Sequence, residues 1–206
     1  MMKLYFSPNA CSLASHIALQ EAGAAHEVVR IHFDRNEQRS PDYLAINPKG
    51  RVPALVTDRG VLSETPAILA YIAQTFPEAD LAPLHDPFAF AQVQSFNAYI
   101  CATLHVAHAH LRRPTRWADA PEAIAELKRK APEVISASFA YVEHDLLAGP
   151  WVMGERYTIC DPYLYAVGRW LEGDGIDPAR VPKLMAHRAA MESRPAVQRA
   201  LAAEAA

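Results

Sequence analysis

Strand-like sequence is confined to the first third of this chain. The stretch that closes it off, Pro77-Glu78-Ala79-Asp80-Leu81-Ala82-Pro83-Leu84-His85-Asp86-Pro87, carries three prolines in eleven residues and no hydrophobic period. A helix or strand running through it would lose backbone hydrogen bonds at the prolines, so it reads as a linker between two units of different class. Ahead of it, residues 3–6 and 27–33 are short apolar-rich strand candidates on either side of a helical run, 13–21, that Gly23 stops. A weakly helical stretch over 42–46 leads to Pro53-Ala54-Leu55-Val56, and Asp58-Arg59-Gly60 turns that strand back into Val61-Leu62 as a hairpin. Pro66 suits the first turn of a third helix, in which Ile68, Ile72 and Phe76 recur every four residues. The order is βαβαββα, a small mixed sheet carrying helices.

Beyond the linker the alternation disappears. Over residues 88–111, Phe96, Ile100, Leu104 and Leu111 form one apolar stripe; over 122–147, Ile135, Phe139, Val142 and Leu146 form another. Pro132 is expected to kink or split that second helix. Thr158, followed three residues later by Asp161, is a capping-box-like start for a helix through Leu171, better read as a folding cap than as chemistry. Residues 181–193 and 195–203 supply two more helices. The expected fold class is α/β plus all-α: an N-terminal unit over 1–77, a linker over 78–86, and an all-helical unit over 87–206.

Half of the 206 residues are apolar (51%), enough for a core of ordinary size, and 20 Lys and Arg against 23 Asp and Glu leave a net charge of −3. Such a balance gives no field that would collect a polyanion, so nucleic acid is not an expected partner. The basic clusters Arg112-Arg113-Pro114-Thr115-Arg116 and Lys128-Arg129-Lys130 lack interleaved aromatics and read as solvated helix ends and faces. MMKLYF passes at once into polar residues, without the apolar heart of a signal peptide, and no apolar run approaches the ~18 residues of a membrane span. No membrane partner is expected, and the cytoplasm is the expected compartment. Cys11, Cys101 and Cys160 make neither an even disulfide set nor a C-x-x-C pair, so redox chemistry at Cys11 would need an external thiol. His105 and His108 share a helix face, but two histidines without a third ligand make a poor zinc site, and no metal is expected.

Chemistry concentrates at two helix starts in the first unit. A helix N-terminus offers unpaired N–H groups and the positive end of the dipole to an anion. At the first start, Cys11 and Ser12 could donate S–H or O–H to a bound thiolate. At the second, Ser63-Glu64-Thr65-Pro66, Thr65 and the free N–H groups suit a carboxylate while Glu64 suits an ammonium, a pair that fits an α-amino acid end. Between them, a cis Val52-Pro53 bond would leave the Val52 N–H and C=O free to pair with an extended peptide. The ligand implied is a short peptide with a thiol at one place and an amino-acid head at another.

The runs MKLYFSPNACSLASHIAL, YLAINPKGRVPALVTDRGVLSETPAILAYIA and YTICDPYLYAVGRW resemble the glutathione transferases, and the Cys11-Ser12 pair resembles the bacterial beta class. The likeness extends from Lys3 to about Leu201. It implies a thioredoxin-like N-terminal domain, an all-α C-terminal domain, a homodimer, and glutathione as co-substrate. It further implies that Val52 pairs with the cysteinyl backbone of glutathione across a cis-Pro53, that Glu64 and Thr65 hold the γ-glutamyl head, and that Cys11 and Ser12 sit beside the sulfur. His105 matches a histidine that lines the active site of beta-class members, and Arg35 is a further candidate for the glycine end. Val106 stands where those members often carry a lysine, which removes one cation from the expected site.

The expected function is detoxification: transfer of the glutathione thiolate to small, mostly apolar electrophiles, with glutathione-dependent peroxide reduction as a second activity. A free thiol with a pKa near 8.5 is only about 3% ionised at pH 7, and lowering it by about two units takes roughly 2.7 kcal/mol. A dipole end of about 0.3–1 kcal/mol falls short, whereas one or two charge-assisted hydrogen bonds at about 1.5–3 kcal/mol each suffice. Two alternatives stay open on the sequence: a thiol-disulfide enzyme using Cys11 in a mixed disulfide, and a non-catalytic ligand-binding protein of the same fold.

Overall fold

The computed structural model describes residues 1–205; Ala206, the end of the expected helical unit, lies outside the described residues. Strand β1 (Met2–Phe6) runs through the interior of a four-stranded sheet of order β2-β1-β3-β4. It pairs in parallel with β2 (His26–Arg30) and antiparallel with β3 (Ala54–Thr57), so that Leu4 lies opposite both Val28 and Leu55. Strand β4 (Gly60–Ser63) returns from β3 as the hairpin the sequence predicts. Helices α1 (Ser12–Glu21), α2 (Pro41–Ile46) and α3 (Thr65–Thr75) complete the βαβαββα order of a thioredoxin-like unit.

Strand β2 ends three residues earlier than its apolar run suggests. The Ile31 N–H still donates to Phe6 O at 2.7 Å, but the next N–H, of His32, is taken by the Glu37 carboxylate at 2.8 Å. The chain then leaves the sheet through two 3₁₀ turns, Phe33–Arg35 and Glu37–Arg39.

The second unit is helical: α4 (Pro87–Tyr99), α5 (His105–Arg112), α6 (Pro121–Tyr141), α7 (Cys160–Gly168), α8 (Pro182–Glu192) and α9 (Pro195–Ala205). A π-helical turn, Ile100–Leu104, joins α4 to α5, and another, Val142–Leu146, extends α6. Pro132 does not split α6. Its neighbours Ala131 and Ile135 are buried at 3% and 0% exposure, and burial of that stripe outweighs the one missing backbone donor. Helix α7 stops at Gly168, short of Leu171, and is opened by Asp161, which accepts from the N–H groups of Thr158 (2.7 Å) and Val152 (2.8 Å) and contacts His187 Nε2 at 3.1 Å.

The stretch read as a linker is docked: Leu81 and Ala82 are buried, Ile159 N–H donates to Leu81 O at 2.9 Å, and Arg156 pairs with Asp80. One continuous core spans both units. Helix α1 is its pivot, with every residue from Ser12 to Leu19 buried. From it His16 reaches Glu204 of α9 at 3.1 Å, and Glu21 takes a two-point contact from Arg194 at 2.5 and 3.0 Å. Among the described residues no helix is long and apolar enough to cross a membrane.

Candidate active site

Cys11 is the residue on which α1 begins. Its thiol donates to the Val52 carbonyl at 3.7 Å and is only 8% exposed. Burial pushes the thiol up to about 11, against a smaller opposing effect of the Thr65 side chain, so it stays protonated at neutral pH. Ser12 does not share this position. It is fully buried, its hydroxyl accepting from Ser7 N–H and donating to Ser7 O, both at 3.3 Å, so it ties β1 to α1 and does not face the cavity. Arg35 is likewise off the cavity: it is exposed on the first 3₁₀ turn, and Arg39, from the end of the next turn, lines the wall instead.

The second wall is set by the NPKGR loop. Gly50 lies at φ +59°, where a Cβ would stand 2.7 Å from Gln38 O, so the turn requires glycine. Tyr43 Oη and Asn47 Nδ2 both donate to Arg51 O at 2.6 Å, fixing the backbone just ahead of Val52. The Val52–Pro53 bond is cis. Glu64 sits at φ 75° and ψ 120°, a conformation that costs a side-chain-bearing residue about 1–3 kcal/mol and persists only where its surroundings impose it. Its exposed carboxylate pairs with the Lys49 ammonium, which also donates to Ser63 Oγ at 2.7 Å. Thr65, buried, opens α3 beside it.

Helix α5 and the segment that follows α7 supply the facing wall. His105 lies 5.0 Å, ring to ring, from Trp170 and 6.4 Å from His108. Burial first, then the nearby His108, Arg116 and Arg51, push His105 down to about 4, so it is neutral at pH 7. His108 stacks on Trp170 at 4.1 Å and 22°, its Nδ1 held 2.7 Å from the buried Asp174 carboxylate, which Arg112 Nε also meets at 3.2 Å. Trp170 Nε1 in turn donates to Asn9 O at 2.8 Å, closing the helical wall onto the β1–α1 turn.

These walls enclose a cavity of ≈ 1210 Å³ that brings together Cys11, Val52, Pro53, Glu64, Thr65 and His105. Sequence reasoning missed the guanidiniums that join them: Arg39, Arg51, Arg113 and Arg116 all line the cavity. Arg116 loses its proton more readily than an ordinary arginine, through burial and then through Arg51, Arg113 and Arg39 beside it. Val106 therefore does not leave the site short of positive charge. The signal was present in Arg112-Arg113-Pro114-Thr115-Arg116, read from sequence as a solvated helix end; Lys128-Arg129-Lys130, by contrast, is solvated, with Arg129 paired to Glu126 and Lys130 to Glu133. Among the described residues no three His, Cys, Asp or Glu are grouped to hold a metal ion.

The sequence profile described as glutathione S-transferase, N-terminal domain, matches residues 1–74. Glutathione S-transferase GstA of Escherichia coli O157:H7 is 37% identical over 206 residues, covering 98% of both chains. The solved structure of a glutathione transferase homolog from Sulfitobacter, with bound glutathione, superposes with a TM-score of 0.93 at 44% identity over 97% of this chain and 96% of that one. The bacterial beta class glutathione S-transferase of Sphingomonas chungbukensis gives a TM-score of 0.86 at 35% identity, over 98% of each chain. The chain belongs to the glutathione S-transferase family.

Proposed function

We propose that this chain binds glutathione in the cavity and transfers its thiolate sulfur to a small electrophile, working as a homodimer in the cytoplasm. Glu64, Thr65 and the N–H groups opening α3 hold the γ-glutamyl head, and the Val52 backbone pairs with the cysteinyl unit, which brings the sulfur to Cys11. The thiol proton leaves to solvent, the S–H of Cys11 donates to the thiolate, and the surrounding guanidiniums favour its charge. Sulfur then forms a bond to the electrophilic carbon as the leaving group departs with its electron pair. His105, neutral, borders the electrophile's side.

The observation that carries this reading is the convergence of Cys11, Val52, Glu64, Thr65 and His105 on one cavity. A thiol with a pKa of about 11 is ionised only about one part in ten thousand at pH 7, which suits a hydrogen-bond donor and opposes a mixed-disulfide nucleophile. The two solved relatives described above, one of them holding glutathione, supply the ligand. Calorimetric titration with reduced glutathione at pH 7, in two buffers of different ionisation heat, tests it by counting protons. Release of most of one proton on binding is expected, since the free thiol is about 97% protonated there; binding without release would sink the thiolate mechanism. Light scattering that returned a monomer would remove the homodimer.

A further inference from the structure

We propose that the electrophile side of the cavity recognises a substrate bearing an anionic group, a carboxylate in the simplest case, through Arg113 and Arg116. This rests on the transferase reading above and adds a charge requirement to the mostly apolar electrophile that the family resemblance implies.

The charge on the walls does not balance. Arg112 is engaged by Asp174, Lys49 by Glu64, and Arg169 donates to Asn9 while lying over the Tyr165 ring at 5.7 Å. Arg39, Arg51, Arg113 and Arg116 make no ion pair with any carboxylate among the described residues. Gathering like charges at one cavity is unfavourable unless an anion completes the set. Glutathione completes only part of it: its γ-glutamyl end is internally neutral, so with the thiolate it brings a net charge of about −2.

These four arginines come from two segments of the chain. Arg39 and Arg51 belong to the first unit, on the loops that carry Gln38 and Val52, where the peptide would lie. Arg113 and Arg116 come from the short connection between α5 and α6, and Arg116 stands near His105 as well as near Arg51 and Arg39. Their backbone spacing is built in: Pro114 is buried, Arg116 N–H donates to Arg113 O at 3.0 Å, and Trp117 N–H donates to Pro114 O at 2.9 Å, so a single 3₁₀ turn carries both side chains that line the cavity. Guanidinium forks match carboxylate geometry better than any other side chain. With neutral His105, Val106 and Trp170 beside them, they define a subsite with an apolar bed and a cationic end.

Two chloroarenes of matched shape test this, 4-chloro-3,5-dinitrobenzoate and 4-chloro-3,5-dinitrobenzamide. With each, the glutathione thiolate bonds to the ring carbon and chloride leaves. The decisive reading is binding of the two products, S-(4-carboxy-2,6-dinitrophenyl)glutathione and its carboxamide, by calorimetry. The carboxylate product should bind about tenfold tighter, and the preference should shrink to about threefold or less in Arg113→Gln/Arg116→Gln, as expected for partly exposed charge pairs. It should also fall as sodium chloride rises from about 20 to about 200 mM. Equal or weaker binding of the carboxylate product overturns the proposal, and a preference that survives in the double variant removes these two arginines from it. Both side chains are exposed, and if the double variant melts early the single variants R113Q and R116Q carry the comparison. Turnover is read separately: tight binding of both products without conjugation of either chloroarene defeats the transferase reading while leaving the charge preference to be judged on affinity.

Discussion

The thiol of Cys11 and the carbonyl of Val52 face each other across 3.7 Å, joining the start of α1 to the loop ahead of β3. Burial there holds the thiol at about 11, so in a Cys101→Ser background its alkylation by iodoacetamide at pH 7 should be about 100-fold slower than that of free cysteine. The rate should climb about tenfold per pH unit to beyond pH 10. A plateau near pH 8 would show a thiolate at neutral pH and restore the mixed-disulfide mechanism. Conjugation should persist in Cys11→Ala with a loss of about tenfold, the worth of one hydrogen bond to a charged group.

Glu64 combines a strained backbone with a chemical role, and two substitutions separate them. Glu64→Gly removes the side chain while relieving the positive φ, so stability should hold or rise by up to about 1 kcal/mol. Glutathione affinity should fall about tenfold in it and in Glu64→Ala alike, reflecting the lost contact with the ammonium. An unchanged apparent glutathione constant in both variants would take Glu64 out of the site.

Asp161 is a stability residue. It is fully buried, and its carboxylate accepts from two backbone N–H groups and meets His187 at 3.1 Å. Asp161→Ala should cost about 3–5 kcal/mol and lower the melting temperature by roughly 10 °C for a chain of this size. A fall of less than about 2 °C in a thermal scan would contradict the cap assignment.

His105 couples the site to acid. Its folded pKa of about 4 lies below the unfolded value near 6.5, so between those pH values the unfolded chain binds more protons. Stability is therefore complete above pH 6.5 and is lost as pH falls toward 4, by about 1–3 kcal/mol after allowance for partial exposure. Urea unfolding at pH 7 and pH 4.5 should show His105→Asn losing about 1 kcal/mol less than the unsubstituted chain. Identical losses would mean the imidazole titrates normally.

Elements written in local spacing were legible in the sequence. The Thr158-x-x-Asp161 cap, the Asp58-Arg59-Gly60 hairpin and the Pro66 helix start each depend on neighbours within a few residues, and each stands where the spacing puts it. Direction was not legible: Ser12 follows Cys11 by one residue, yet the helical turn sends its hydroxyl to Ser7 and not to the cavity. Nor was convergence. Arg39, Arg51, Arg113 and Arg116 come from loops of both units, and only the packing of the helical unit against α1 and α3 sets them around one space. Pro132 shows the complementary limit, a local breaker overruled by the burial of its own helix face.

The bond between His16 and Glu204 gives the fold an order of completion in time. Helix α1, which presents Cys11, is covered in part by α9, whose Glu204 follows His16 by 188 residues in the sequence. A growing chain emerges from its first residue onward, at about 5–20 residues per second, so the sheet and α1 are available long before the helix that seals them. Residues near 200 thus arrive late to the helix that residue 11 opens, and a nascent chain stalled before them carries the cavity-lining residues without the α9 contact to His16.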